Sequence, residues 1–155
     1  MRIVDLMSET LVLPEMSGST RDEALRELVD HLSANSPVRI GADATYDRLL
    51  ARERLASTAV GKGIAIPHAK LPQIVRAVAC LGRSREGVDF GSQDGSPTHI
   101  FLTIVAPEGQ AGLHLKALAR ASRLLMDEGF RTAMMEAEAS HLWRTVEARD
   151  AQLSS

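Results

Sequence analysis

The chain has 155 residues, 45% hydrophobic and 25% charged, with a formal net charge of −2. That is enough chain for one domain with a sizeable core, and no long basic run marks nucleic acid as a main partner. Its single cysteine, Cys80, excludes an internal disulfide and suits a reducing cytoplasm. No apolar stretch reaches the roughly 20 residues a membrane span needs, and the opening MRIVDLMSET lacks the features of a secretory signal. The expectation is a soluble cytoplasmic protein with nothing inserted in a membrane, its core aliphatic because aromatic residues make up only 3%.

Taken in chain order, the first clear element begins at Thr20. Thr20-Arg21-Asp22-Glu23 has the form of a capping box, and Ala24, Leu25, Leu28, Val29 and Leu32 follow at helical spacing. This helix is predicted to end near Asn35-Ser36-Pro37. A second helix is predicted over about 43–55, with Tyr46, Leu49 and Leu50 inward and Arg52, Glu53 and Arg54 at its C-terminal end. Next comes STAVGKGIAIPHAK (57–70). Gly61 and Gly63 permit a tight turn, Ile64-Ala65-Ile66 reads as a short buried strand, and Pro67, lacking an N–H, is expected to stop the ladder. That leaves His68 at a strand end, on the surface of a loop.

Two buried strands are predicted at 74–81 (IVRAVACL) and 99–106 (HIFLTIVA), separated by turn chemistry at 85–98. A long helix then covers about 111–127, with Leu113, Ala117, Leu118, Ala121, Leu124 and Leu125 on one arc and Lys116, Arg120 and Arg123 on the other. Helices at 130–137 and 140–148 complete a domain over 1–149, and 150–155 reads as a tail. Strands interleaved with helices predict an α/β fold, a central mixed β-sheet sandwiched between helices on both faces.

The chemistry concentrates in the histidines. A neutral imidazole is a competent nucleophile near pH 7, and a phosphoryl–nitrogen bond on it is readily broken again. The residues alone leave simpler readings open. A histidine after proline is also an ordinary loop residue, and Arg52 an ordinary solvated cation at a helix C-terminus. Counting 100° per residue, His114 falls among Leu118, Ala121 and Leu125, where a core histidine would sit. It also lies in the first turn, where unpaired N–H groups and the dipole favour an anion. His31, His99 and His141 read as structural, and Cys80 as a small buried hydrophobe. Two other classes compete: a metal-dependent hydrolase with His68, His99 and His114 as ligands, whose spacing matches no common ligand motif, and a regulatory binding module without transfer chemistry.

The block LARERLASTAVGKGIAIPHAKL (50–71) resembles the active-site signature of the IIA domains of the fructose/mannitol class of the phosphotransferase system. It carries the family's R-E pair, the S-T, the glycines, an apolar-Ala-apolar strand and Pro-His. APEGQAGLHLKALARASRLL (106–125) resembles the family's second signature, in which His-Leu opens a long helix. The resemblance runs from Met1 to about Arg149, with one departure at Ala69, where the family usually has glycine and where the loop after the acceptor would be reshaped. It implies that His68 is the phosphoryl acceptor, as a tele-phosphohistidine, although the residues alone do not choose between the ring nitrogens. It further implies that Arg52 and His114 assist, that Glu53 completes the R-E pair, and that neither a cofactor nor a metal is needed. The implied partners are an HPr-like phosphocarrier as donor and a IIB domain or a regulated protein as recipient. With one domain, the chain most resembles the nitrogen-related regulatory type; the alternative is a sugar-uptake IIA component.

Overall fold

A helix start leaves backbone donors unpaired, and Thr20 supplies one of the missing acceptors. Its hydroxyl accepts the Glu23 N–H at 3.2 Å, and the Glu23 carboxylate accepts the Thr20 N–H in return, so α1 (Arg21–Asn35) begins where its capping box predicts. The structure, a computed structural model, describes residues 1–153. α2 (Ala42–Leu55) packs against α1, with Leu49, Leu50 and Glu53 buried and Tyr46 half-buried beneath the Arg26 guanidinium.

Among the described residues the sheet has six strands: β1 (Val12–Leu13), β2 (Ala59–Gly61), β3 (Ile64–Ala65), β4 (His68–Leu71), β5 (Val78–Val88) and β6 (Thr98–Pro107). Their order is β1-β5-β6-β3-β2, with β4 also paired to β6. β5 runs antiparallel to β6, whereas β3 and β4 lie parallel to β6 one after the other, Ile64 opposite Ile100 and His68 opposite Ile104. The sheet is therefore mixed.

Helices cover both faces, and β5 shows how. Successive strand residues point to opposite sides. A Cβ at Gly82 would lie 2.6 Å from Met16 Sδ and 2.7 Å from Leu28 Cδ2, so on that side the backbone is pressed against α1. The next residue, Arg83, is fully buried and donates to the Met134 and Ala137 carbonyls at the end of α4 (Glu128–Glu136). α3 (Ala111–Leu125) packs on β6, and α5 (Leu142–Gln152) on α4. Among the described residues no helix is long and apolar enough to cross a membrane.

Four expectations change. The strand expected from Ile74 starts at Val78 and continues through Arg83 to Val88, into the segment read as a turn. A charged residue persists mid-strand because the carbonyls of a distant helix end accept from its Nη1 and that of Pro14 from its Nε. Pro67 does not end the ladder. It lacks a donor but keeps its carbonyl, which accepts the Ile104 N–H at 2.9 Å, and pairing resumes at His68. Arg120, expected on the polar arc, is buried and donates from Nε to Asp150 Oδ1 at 2.8 Å. Asp150, expected to open a tail, is fully buried inside α5, where it also accepts the Val4 N–H. Of the expected tail, Ser154 and Ser155 lie outside the described residues.

Candidate active site

His68 is the first residue of β4, held by strand pairing on one side and by Pro67 before it. Its Nδ1 lies 2.8 Å from the Ile66 carbonyl oxygen. A carbonyl only accepts, so in the neutral ring Nδ1 carries the proton and Nε2 keeps its lone pair. The two nitrogens, which the residues alone leave equivalent, thus have different surroundings in the structure.

His114 faces it from the first turn of α3. The two ring centroids are 5.4 Å apart, tilted by 54°. His114 is buried, and its Nδ1 has no hydrogen-bond partner among the described residues. Its own backbone N–H is accepted by the Gln110 carbonyl, so the donors that α3 leaves open are those of the residues before it.

Both histidines line an open cleft of about 720 Å³. α2 contributes Arg48 and Arg52, β4 contributes Lys70, and Leu55 and Leu118 supply apolar wall. Arg52 donates from Nη1 to the Ala56 carbonyl at 2.6 Å, which occupies one of the five N–H groups of its guanidinium. Arg48 is tied across the rim, to the Lys70 carbonyl at 2.9 Å and the Glu108 carboxylate at 2.5 Å. Burial, reinforced by the positive charge of Arg52, holds the His68 pKa below its ordinary value, against the opposing bond to Ile66. Burial also lowers His114, with His68 and Lys70 acting in the same direction. Both rings therefore favour the neutral form near pH 7. The arrangement is a nucleophilic nitrogen facing a second imidazole in a cleft with more cations than anions, suited to receive an anionic group.

The R-E pair divides. Arg52 joins the cleft, while Glu53 turns inward and binds Thr58. Ala69 pairs with Val105 inside β4, and its φ is not positive, so a methyl group replaces the family's glycine without backbone strain or a reshaped loop. His99 and His31 are not brought to the cleft; their ring nitrogens meet the carbonyls of Ser84 and Thr10. Among the described residues no three His, Cys, Asp or Glu side chains are arranged to hold a metal ion. Sequence reasoning missed Arg48, Lys70 and Glu108. Arg48 and Lys70 had a signal, since Arg48 is one helical turn before Arg52 and Lys70 is two strand positions after His68, on the same face in each case. Glu108 had none.

The family model for EIIA 2 of the phosphoenolpyruvate-dependent sugar phosphotransferase system matches residues 5–147. The chain belongs to this family. Among its EIIA 2 relatives is a nitrogen regulatory protein of Bradyrhizobium diazoefficiens, 40% identical over 130 residues that cover 83% of this chain and 82% of the relative. A fructose-specific EIIABC component of Bacillus subtilis is 36% identical over 138 residues, covering 89% of this chain but 22% of that longer protein. The crystal structure of the nitrogen regulatory protein IIA-Ntr from Neisseria meningitidis superposes with a TM-score of 0.83 at 25% identity, over 93% of this chain and 98% of that one. His68 and His114 both lie within the matched span, on opposite walls of one cleft.

Proposed function

We propose that this EIIA 2 protein is a phosphocarrier that takes a phosphoryl group from an HPr-like histidine carrier onto Nε2 of His68. The observation that carries the reading is the bond from His68 Nδ1 to the Ile66 carbonyl, which leaves Nε2 as the nucleophile in a cationic cleft. In the transfer, the Nε2 lone pair forms the new N–P bond while the donor's N–P bond breaks and its electron pair returns to the donor ring. Phosphoryl transfer is loose, so the protein's task is positioning and stabilising charge on the phosphoryl oxygens. Arg52 supplies a planar fork of donors, and His114 an imidazole N–H beside the open start of α3.

The outgoing step is read as regulatory, supported by the 40% identity to a nitrogen regulatory protein. Phosphorylation adds about −1.5 to −2 charges to the cleft and changes which partner surfaces dock there. A second reading, donation to a IIB domain in sugar uptake, draws on the 36% identity to the fructose-specific component. Incubation with phosphoenolpyruvate, enzyme I and an HPr-type carrier is expected to add one acid-labile phosphoryl group, and none to His68→Ala. Stable labelling of that variant would refute the assignment. Passage of the label to a fructose-type IIB domain would favour the uptake reading; phosphorylation-dependent capture of a non-transport partner would favour the regulatory one.

A further inference from the structure

Glu53 is the member of the R-E pair to which the transfer chemistry assigns nothing, and its setting is unusual. It is 4% exposed in the last turn of α2 and makes no ion pair with any described residue. The positive charges of Arg52 and Arg21 reach it only from beyond ion-pair distance, and burial outweighs them in raising its pKa; such a carboxylate is costly where an apolar side chain would pack as well. Its oxygens serve one residue: Thr58 donates its N–H to Oε1 at 2.9 Å and its hydroxyl to Oε2 at 2.5 Å.

From Thr58 the contacts lead to the acceptor. The Thr58 carbonyl accepts the Ile66 N–H at 3.3 Å, and the Ile66 carbonyl accepts the His68 Nδ1–H at 2.8 Å. Ile66 and Pro67 fall in the gap between β3 and β4. Pro67 has no N–H, so Ile66 holds the one backbone donor of this gap, and that donor's partner is Thr58. The direction of the Ile66 carbonyl therefore depends on where Thr58 stands, and Glu53 clamps Thr58 through both its backbone and its side chain.

We propose that Glu53 is a positioning residue: through Thr58 and Ile66 it holds the His68 ring in the orientation and tautomer that leave Nε2 unprotonated. The proposal rests on the reading of His68 as the acceptor. Without the clamp the Ile66 carbonyl swings, the Nδ1–H loses its partner, and Nε2–H, the tautomer a free histidine side chain favours in water, becomes populated. A ring protonated at Nε2 has no lone pair there to attack phosphorus.

The test is nitrogen-15 NMR of the His68 imidazole in the full chain near pH 7, run beside phosphate uptake from an HPr-type donor. The wild type is expected to show the Nδ1–H tautomer. Glu53→Ala is expected to shift it toward Nε2–H and slow uptake by about 10- to 100-fold, the scale seen when a partner orienting a metal-bound histidine is lost. Glu53→Gln, whose amide can still accept from the Thr58 N–H and meet the hydroxyl, is expected to restore most of both. If Glu53→Ala does not fold, Thr58→Val removes the hydroxyl donor alone and is expected to shift the tautomer less, in the same direction. A folded Glu53→Ala or Thr58→Val protein whose His68 keeps the wild-type tautomer overturns the proposal, as does a shifted tautomer with undiminished uptake. Wild type that accepts no phosphate at all would instead refute the acceptor reading, which the tautomer measurement does not depend on.

Discussion

Along α3, polar side chains are buried at two places and treated in different ways. At Arg120, in the middle of the helix, the guanidinium meets Asp150 twice, by Nε to Oδ1 at 2.8 Å and by Nη2 to Oδ1 at 2.7 Å, and it reaches the Asp150 and Leu153 carbonyls as well. At His114, in the first turn, a ring as buried as that guanidinium has an Nδ1 without a partner and a second imidazole opposite. The interior of the helix is closed by matched charges that fasten it to α5, and its start is left open beside a cleft. An unpaired buried imidazole is a cost in stability, and the rest of the fold holds the helix in place against it.

The comparison is broken most severely by separating the clasp. Asp150→Ala removes the carboxylate from beside a buried guanidinium, and breaking a buried pair costs about 3–5 kcal/mol. Thermal unfolding is expected to show a drop of on the order of 10 °C for a chain of this size, while transfer per folded molecule stays near normal. A melting temperature within about 2 °C of wild type would mean that the clasp contributes little. At the cleft the expectation is the reverse. Arg52→Ala should slow phosphorylation by on the order of 10²-fold with little change in melting, and Arg52→Lys should recover part of the rate, since an ammonium cannot reproduce the fork. His114→Ala should lose roughly 10- to 1000-fold and His114→Gln less, because the amide keeps a donor. A His114→Ala protein that melts far lower yet transfers normally would make this histidine a core residue like its neighbours.

The smallest effect is with pH. Both His68 and His114 have pKa values lowered in the fold, chiefly by burial. Well above about pH 6.5 both are neutral in the folded and unfolded chain, and their titration does not affect stability. As pH falls below that, the unfolded chain binds protons that the folded one resists, so stability falls toward the folded pKa values. Urea unfolding between about pH 7.5 and 5.5 should show this slope, and a variant carrying His68→Gln and His114→Gln together should flatten it. A slope unchanged in that variant would assign the titration to other groups.

What this sequence determines by itself is local. The capping box at Thr20 needs only Glu23, and the apolar arc of α3 needs only a regular 3.6-residue period, so both helices are legible without knowledge of the fold. The glycine turn and the short strand before His68 are legible too, because the residues that set them are neighbours in the chain, whereas the resumption of pairing at His68 is not. Tertiary structure decided the rest. Arg83 runs in mid-strand because carbonyls of Met134 and Ala137 reach it, and Arg120 is buried because Asp150 does. The 5.4 Å approach of His68 to His114, and which ring nitrogen of His68 meets a carbonyl, likewise depend on how β4 and α3 are packed and on where one backbone carbonyl points. The physical reason is the same throughout: a charge or a donor costs least in the interior beside its partner, and the pattern around a residue does not reveal a partner far along the chain.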